Sequence, residues 1–369
     1  MQLGIWPFYL ERNNVGDELY GAFSTASSLL GILARAASAK LGSSGESLPF
    51  AMGIMASAGM MLVYAFLPSA AGIAIGMGLS SISMALVMVG RTTIVGRGTE
   101  QGRGLATTYA VLITLANVGL IVGTNLGAFI FPFSDYVVVF AVGGLVCLAG
   151  LIIAFGLLPR GKVPSKSRFG VIRLNDTSPV LRRFFWATCL DSFSWSIASP
   201  FFSITPARIF KVTQDDIALI QTLEFGAATA TNVVFGILSD RLWGRRSLLV
   251  VSEALGVVML VLYLIAPNVQ PIFICAMLMG LVISSWSPIV SAYVSEASSA
   301  EKLQDNVGTW MTLTALIRVP APIIGGYLAE NWFPRAPYLV SLFLVAGAAL
   351  YIHGYLKEPV PTGAIVRSS

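Results

Sequence analysis

Residues 47–90 read SLPFAMGIMASAGMMLVYAFLPSAAGIAIGMGLSSISMALVMVG and contain no charged side chain. This stretch lies between Glu46 and Arg91, and the turn-forming sequence Leu67-Pro68-Ser69 falls near its centre. Each of the two parts is about as long as the roughly 20 apolar residues that a helix needs to cross a bilayer. The stretch therefore predicts a hairpin of two membrane-spanning helices.

A second charge-free stretch, between Glu253 and Glu296, has the same design, with Ala266-Pro267-Asn268 near its centre. Lipid admits only helices or closed barrels, and these runs are too long for barrel strands. The sequence therefore predicts an all-α membrane protein. Read in the same way, the chain has about eleven spans, at residues 17–40, 49–67, 70–95, 103–131, 135–158, 179–210, 214–240, 245–266, 269–297, 301–330 and 334–357.

The composition excludes several classes of protein. Of 369 residues, 56% are hydrophobic and 11% are charged, whereas about 25% of the residues of a soluble domain are charged. The net charge is +5, but the basic residues lie in short loops between apolar spans, so nucleic acid is not a predicted partner. The three cysteines fall inside spans without metal-ligand spacing, which predicts neither a disulfide nor a metal or cofactor site; they are Cys147, Cys189 and Cys275.

The distribution of lysine and arginine predicts the orientation, because basic loops stay in the cytoplasm. Alternate loops are rich in both residues, whereas the other set, counted with the amino-terminal segment, holds Arg12, Arg208, Lys211 and Arg335. We therefore expect a multi-pass protein of the plasma membrane, with the central loop and the carboxyl terminus in the cytoplasm.

The chain divides into two related parts. Residues 1–158 are expected to form an amino-terminal helical bundle, residues 159–178 a cytoplasmic linker loop, residues 179–358 a six-helix bundle and residues 359–369 a tail. An offset of 201 residues matches Thr108 with Thr309, Leu112 with Leu313, Leu115 with Leu316 and Val118 with Val319. Internal repeats of this kind are typical of secondary transporters.

The first part shows five spans and the second shows six. Residues 5–10, Ile-Trp-Pro-Phe-Tyr-Leu, resemble the outer end of a span whose beginning is absent. The expectation is a truncated first helix, from a late start codon or a shortened chain.

Residues 236–246 read GILSDRLWGRR and fall on the turn between two spans. This turn resembles the signature loop of the major facilitator superfamily, although one extra residue separates Arg241 from Gly244. The matching turn of the first part, residues 31–42, has Arg35 where an acidic residue would stand. The resemblance implies two bundles of six helices, alternating access and a cytoplasmic gate formed by Gly236, Asp240, Arg241, Gly244, Arg245 and Arg246.

Ionisable side chains inside a bilayer are costly and need a partner or a function. Helical rise places Glu224 and Arg318 at a similar depth, which predicts an ion pair between them, with Asp191 as a second carboxylate about 12 Å into the core. Glu253, two turns from Arg246, is expected near the inner gate. The other residues expected to line the pathway are Trp195, Gln221, Trp286, Trp310 and Asn117.

The leading interpretation is a secondary active transporter of a small solute that works by alternating access and couples to protons. Alternatives remain open at this point: the charges could form a static pair that fixes helix register, and the fold could serve a receptor or regulator without net transport. No catalytic or nucleotide-binding motif appears, so an enzyme is not predicted. The expected partners are a small-molecule solute, protons and lipid, and the expected state is a monomer.

Overall fold

The computed structural model describes residues 2–42, 48–98, 105–157, 177–239, 243–298 and 303–358, which fold into α-helices joined by short turns. The prediction of an all-α membrane protein is confirmed. The helices are α1 (Gln2–Arg12), α2 (Asp17–Gly42), α3 (Leu48–Phe66), α4 (Ala70–Gly98), α5 (Leu105–Ile130), α6 (Tyr136–Leu157), α7 (Pro179–Ala198), α8 (Ile204–Phe210), α9 (Gln214–Leu238), α10 (Gly244–Ile265), α11 (Gln270–Glu296), α12 (Leu303–Arg318), α13 (Ala321–Asn331) and α14 (Ala336–Tyr355). We call α1–α6 the N-terminal half and α7–α14 the C-terminal half.

Nine stretches within the described ranges are long and apolar enough to cross a membrane, and each coincides with a predicted span. The two remaining predicted spans, 17–40 and 179–210, are helical but less apolar. Serine and threonine are frequent in α2, and α7 carries Arg182, Arg183 and Asp191. These polar side chains explain why the two helices are less apolar than the nine other spans.

Two of the predicted spans are interrupted. The span at 179–210 consists of α7, a 3₁₀ turn at Ser199–Phe201 and α8, and the span at 301–330 consists of α12 and α13. Pro200 and Pro320 lie at the breaks, because proline has no N–H to donate and its ring clashes with the preceding turn. Pro288 lies inside a continuous α11.

Helix α1 is short but firmly packed. Ile5 and Tyr9 are fully buried, and the Tyr9 hydroxyl donates a hydrogen bond of 2.7 Å to the Tyr64 carbonyl. At its end, Arg12 contacts Asp135 at 2.5 Å, and this hydrogen bond holds the pKa of the Asp135 carboxyl below its usual range. The expected remnant of a first span is thus a buried helix in the core of the bundle.

One contact between the two halves lies at the end of the bundle where α2 begins, which we call the Asp17 face. Asp17 of the N-terminal half pairs with Arg208 of the C-terminal half at 2.5 Å. Nearby, the backbone N–H of Glu18 donates a 2.8 Å hydrogen bond to the Glu330 carboxylate. An ion pair and a hydrogen bond from a backbone N–H therefore join the two halves at this face.

Two glycines let the halves approach each other there. A Cβ added at Gly21 of α2 would lie 2.3 Å from the Pro322 carbonyl oxygen, and one added at Gly326 of α13 would lie 2.3 Å from the Asp17 carbonyl oxygen. Both distances are far below van der Waals contact, and the opposing atoms belong to backbone. Glycine at these positions is what allows α2 and α13 to touch.

At the opposite end of the bundle, the carboxylate of Glu358 caps the start of α10. It accepts hydrogen bonds of 2.9 Å from the backbone N–H groups of both Arg245 and Arg246. The Arg246 guanidinium donates in turn to the His353 carbonyl. We call this set the Glu358 clasp, and we call this end of the bundle the Glu358 face. The clasp ties the end of α14 to the start of α10.

We expect Gly326→Ala to lower the free energy of unfolding by about 1–3 kcal/mol, because the new methyl group overpacks the α2–α13 contact. The matched control is Gly347→Ala in α14, where an added Cβ meets no atom within 4 Å and alanine is the better helix former. The measurement is the midpoint of thermal unfolding in detergent. Equal midpoints for the two variants would contradict the role given to Gly326.

We expect Glu358→Ala to destabilise the protein by about 1 kcal/mol, because two amide donors at a helix amino terminus lose their acceptor. Glu358→Gln should retain part of the effect through its amide oxygen. Lys357→Ala is the control, since the side chain of Lys357 is exposed and only its backbone carbonyl is bonded, by Tyr293. Thermal unfolding of the three variants checks the order, and a Lys357→Ala loss as large as that of Glu358→Ala would refute it.

Candidate functional site

Two side-chain hydrogen bonds join α7 to α12 in the interior. The Trp310 indole donates to the Thr188 hydroxyl at 3.1 Å, and Arg318 Nε donates to the Ser196 hydroxyl at 2.8 Å. On each helix the two bonded residues are eight positions apart, so α7 and α12 run parallel and in register. This register places Arg318 beside the carboxyl-terminal part of α7.

Helix α10 is linked to α7 through a tryptophan side chain. A Cβ on Gly256 would lie 2.6 Å from the ring of Trp195, so the indole occupies the space that a larger residue would fill. One turn before these positions are Asp191 on α7 and Glu253 on α10. Because both helices run in the same direction, the two acidic side chains lie at the same level.

The two carboxyl groups interact with each other inside the protein. Asp191 is 5% exposed and Glu253 is 1% exposed. Asp191 is the hydrogen-bonding neighbour of the Glu253 carboxyl, and within the described part of the chain no other donor reaches its oxygens. Two buried carboxylates side by side would be costly if both were ionised, so this pair is a feature that apolar packing alone does not explain.

Arg318 is the third charged group of the site. Its charge acts on the Asp191 carboxylate and on Arg35 of the N-terminal half. The residue is exposed, although its neighbours come from both halves. The arrangement is therefore two buried acids beside an exposed arginine, on which a charge of the other half also acts.

The predicted ion pair between Glu224 and Arg318 is wrong. The carboxylate that acts on Arg318 is that of Asp191, and no charge in the described chain acts on Glu224. Helix α9 packs mainly on α5 and α11, whereas α12 packs mainly on α7. Depth along a helix does not say which neighbour the side chain meets.

The expectation for Glu253 is also wrong. It was placed near Arg246 at the inner gate, but Arg246 contacts the end of α14, and Glu253 lies beside Asp191. The sequence does show that Glu253 is an acidic residue in an apolar span. It does not show that α7 and α10 run parallel and so bring Glu253 to the level of Asp191.

The other predicted pathway residues are spread over the interior. Gln221 is buried on α9, and Asn117 is half-buried on α5 of the other half. Trp286 and Trp310 pack against a buried apolar cluster near the Glu358 face, and Trp195 packs against Gly256. Of this set, the structure brings Trp195 into the neighbourhood of Asp191 and Arg318. Ser196, which holds Arg318, was not predicted.

The predicted gate motif lies at the Glu358 face, although Asp240 and Arg241 fall outside the described residues. Gly236 belongs to the last turn of α9, and Gly244 has a φ of +71°, a backbone conformation that favours glycine. Arg245 pairs with Glu296 at 2.6 Å and donates to Ser239 at 2.5 Å. The motif therefore ties the loop before α10 to the end of α11.

Comparison with known proteins agrees with this architecture. A family model described as Major Facilitator Superfamily matches residues 184–368. Among solved structures, the chain is similar to the human organic anion transporter MFSD10 (TETRAN), with a TM-score of 0.68 and 17% identity over 92% of this chain and 83% of that chain. This likeness concerns the fold. No curated protein sequence matches the chain. The family match extends over half of the 369 residues, and the chain therefore belongs to the Major Facilitator Superfamily.

Proposed function

We propose that this protein is a secondary active transporter that moves a small solute across the plasma membrane by alternating access. Membership of the superfamily supports transport in general. The observation that carries the proposal is Arg318, an arginine that is held by Ser196 of the C-terminal half and whose charge also acts on Arg35 of the N-terminal half. An ionisable group at this depth marks a pathway for a solute or an ion.

The contact between the halves suggests how access alternates. At the Asp17 face, an ion pair and a close helix contact join α2 to the C-terminal half. The proposal places this face outside the cell, because the loops rich in lysine and arginine lie at the other end. Opening the site to the outside then requires that Asp17 and Arg208 separate.

Protons are part of the proposal because an acid and a base share the site. Protonation of Asp191 would remove the charge that acts on Arg318 and would change what the guanidinium binds. Glu224 is a second candidate, since it lies in the interior of the same half. Among described residues no charged group acts on it, so it would titrate independently of Arg318.

A transporter and a receptor with the same fold differ in whether the bound ligand crosses the membrane. A thermal-shift screen with sugars, organic acids, amino acids and cationic drugs identifies a ligand, because a ligand stabilises the state that it binds. Counterflow of that ligand in proteoliposomes then separates the two. A transporter exchanges labelled ligand across the membrane, and a receptor binds it without exchange.

We expect Arg318→Ala to lower the initial rate of ligand counterflow by about tenfold or more, because an ionisable group inside the membrane serves the pathway of the solute. Arg318→Lys should recover part of the rate, since it keeps the charge but not the planar fork. Arg182→Ala is the control, because Arg182 is exposed at the start of α7. Undiminished counterflow in Arg318→Ala would remove this residue from the pathway, and ligand binding without counterflow in the unaltered protein would refute transport.

A further inference from the structure

Helices α7 and α14 form an antiparallel pair in the C-terminal half. The Ser341 hydroxyl of α14 donates a 2.6 Å hydrogen bond to the Ser194 carbonyl of α7. Nearer the Glu358 face, Leu181 at the start of α7 shares a buried cluster with Ile352 and Leu356 at the end of α14. The start of α7 therefore lies beside the end of α14, and the contact between the two serines fixes the register of the pair.

This register shows which side chains face the seam between the two helices, because each residue turns a helix by about 100°. Arg183 and Arg182 are both exposed at the start of α7. Arg183 is eleven residues before Ser194, so it points within about 20° of the contact with α14. Arg182 points about 120° away from that contact. Of the two adjacent arginines, Arg183 is the one that lies at the seam.

Three aromatic side chains lie beside Arg183 in this arrangement. Trp186 is 53% exposed and Tyr355 is 60% exposed, and the ring of Tyr351 lies 5.2 Å from that of Tyr355. Trp186 is turned from the seam by about 80° on α7, and Tyr355 by about 40° on α14. Because the helices are antiparallel, both turns are toward the same side. Arg183 and the three rings therefore form one exposed surface, which we call the seam surface.

Arg183 has no counter-charge on the seam surface. The described carboxylates at this end of the bundle are engaged elsewhere, since Glu296 pairs with an arginine of α10 at 2.6 Å and Glu358 accepts from backbone N–H groups of α10. His353 and Lys357 of α14 point at least about 120° away from the seam. The seam surface therefore carries one positive charge that no described acidic side chain neutralises.

The seam surface lies where the membrane spans end. Helix α14 is long and apolar enough to cross a membrane, and this span ends at Tyr355. The register puts Arg183 level with Ile352, about one turn before that end. Tryptophan and tyrosine are enriched at this level of a bilayer, and arginine reaches from it to the headgroups. Farther into the bilayer, the same side of the seam continues with the apolar side chains of Phe193 and Leu344, which pack on one cluster.

We propose that the seam surface binds an anionic phospholipid, with its phosphodiester on Arg183 and its acyl chains along the apolar side chains below. This site goes beyond the proposed transport and does not depend on it. A phosphodiester carries one negative charge, which balances that of Arg183, and a guanidinium can donate two parallel hydrogen bonds to its oxygens. A zwitterionic headgroup would bring a second cation to a basic face. The orientation expected from the basic loops puts this face in the cytoplasmic leaflet, which carries the anionic lipids.

The first test is the midpoint of thermal unfolding in a neutral detergent while phosphatidylglycerol is added. We expect a saturable rise of about 2 °C, since a ligand stabilises the state that it binds, and a smaller rise with phosphatidylcholine. In Arg183→Ala the half-saturating concentration of phosphatidylglycerol should be about tenfold higher, because charge-assisted bonds to the phosphate are lost. Arg183→Lys should recover part of the affinity, since it keeps the charge without the planar fork.

Arg182→Ala is the matched control, because it removes the same charge from an adjacent exposed position that is directed away from the seam. Its half-saturating concentration should stay within about twofold of the unaltered protein, since exposed charges that do not touch the lipid are screened by salt. Equal losses in the two alanine variants would indicate a diffuse attraction of lipid to a basic face. No loss in either would exclude Arg183. Both results would overturn the proposal.

Soluble anions separate a lipid site from the alternatives. Inorganic phosphate and glycerol phosphate carry a phosphate without acyl chains, and polyglutamate represents an acidic protein segment. We expect none of the three to reproduce the effect of phosphatidylglycerol at an equal concentration of charge. If a soluble phosphate reproduces it, the surface binds a free anion, and if polyglutamate does, the surface binds an acidic protein. If phosphatidylcholine equals phosphatidylglycerol, the lipid charge is not recognised. Each of these results would overturn the proposal.

Fluorescence of Trp186 gives a measurement that does not depend on stability. Phosphatidylglycerol with brominated acyl chains quenches the tryptophans that it contacts, and the difference between the unaltered protein and Trp186→Phe isolates this residue. We expect brominated phosphatidylglycerol to quench Trp186 at a lower mole fraction than brominated phosphatidylcholine. This preference should disappear in Arg183→Ala and persist in Arg182→Ala. Equal quenching by the two lipids in the unaltered protein would refute a site for an anionic headgroup.

Discussion

A charge inside a membrane protein must be balanced within a few ångströms, because neither lipid nor apolar side chains can replace the water that it has lost. Arg318 imposes this constraint on the C-terminal half. Its guanidinium is positioned by Ser196 and opposed by Asp191. The parallel register of α7 and α12, the break after α12 and the approach of α10 to Trp195 all serve to bring these groups together.

Much of the fold follows from the sequence, because the cost of exposing a backbone to lipid leaves few solutions. Charge-free runs of the right length predict helices, as residues 47–90 did for α3 and α4. Pro200 and Pro320 lie at breaks between helices, whereas Pro288 lies inside a continuous helix. A proline in the sequence therefore marks a place where a helix can be interrupted, but it does not decide whether the helix ends there.

The site was less predictable, and the residues show why. The helical rise gives the depth of Glu224, Glu253 and Arg318, but it does not give the rotation of each helix or the neighbour that it meets. Asp191 and Arg318 were recognised as interior charges, yet their partnership depends on α7 lying against α12. Glu253 was assigned to a surface gate because Arg246 is near in sequence, whereas in the structure α10 directs the two side chains to different regions.

The Glu358 clasp has a consequence for biosynthesis. The carboxylate that caps α10 lies 113 residues after Arg245, the first amide that it binds. At a translation rate of about 5–20 residues per second, the start of α10 waits roughly ten seconds for its acceptor. During that interval the loop before α10 must rely on water or on other partners. The C-terminal half therefore acquires its final form only as the last helix leaves the ribosome.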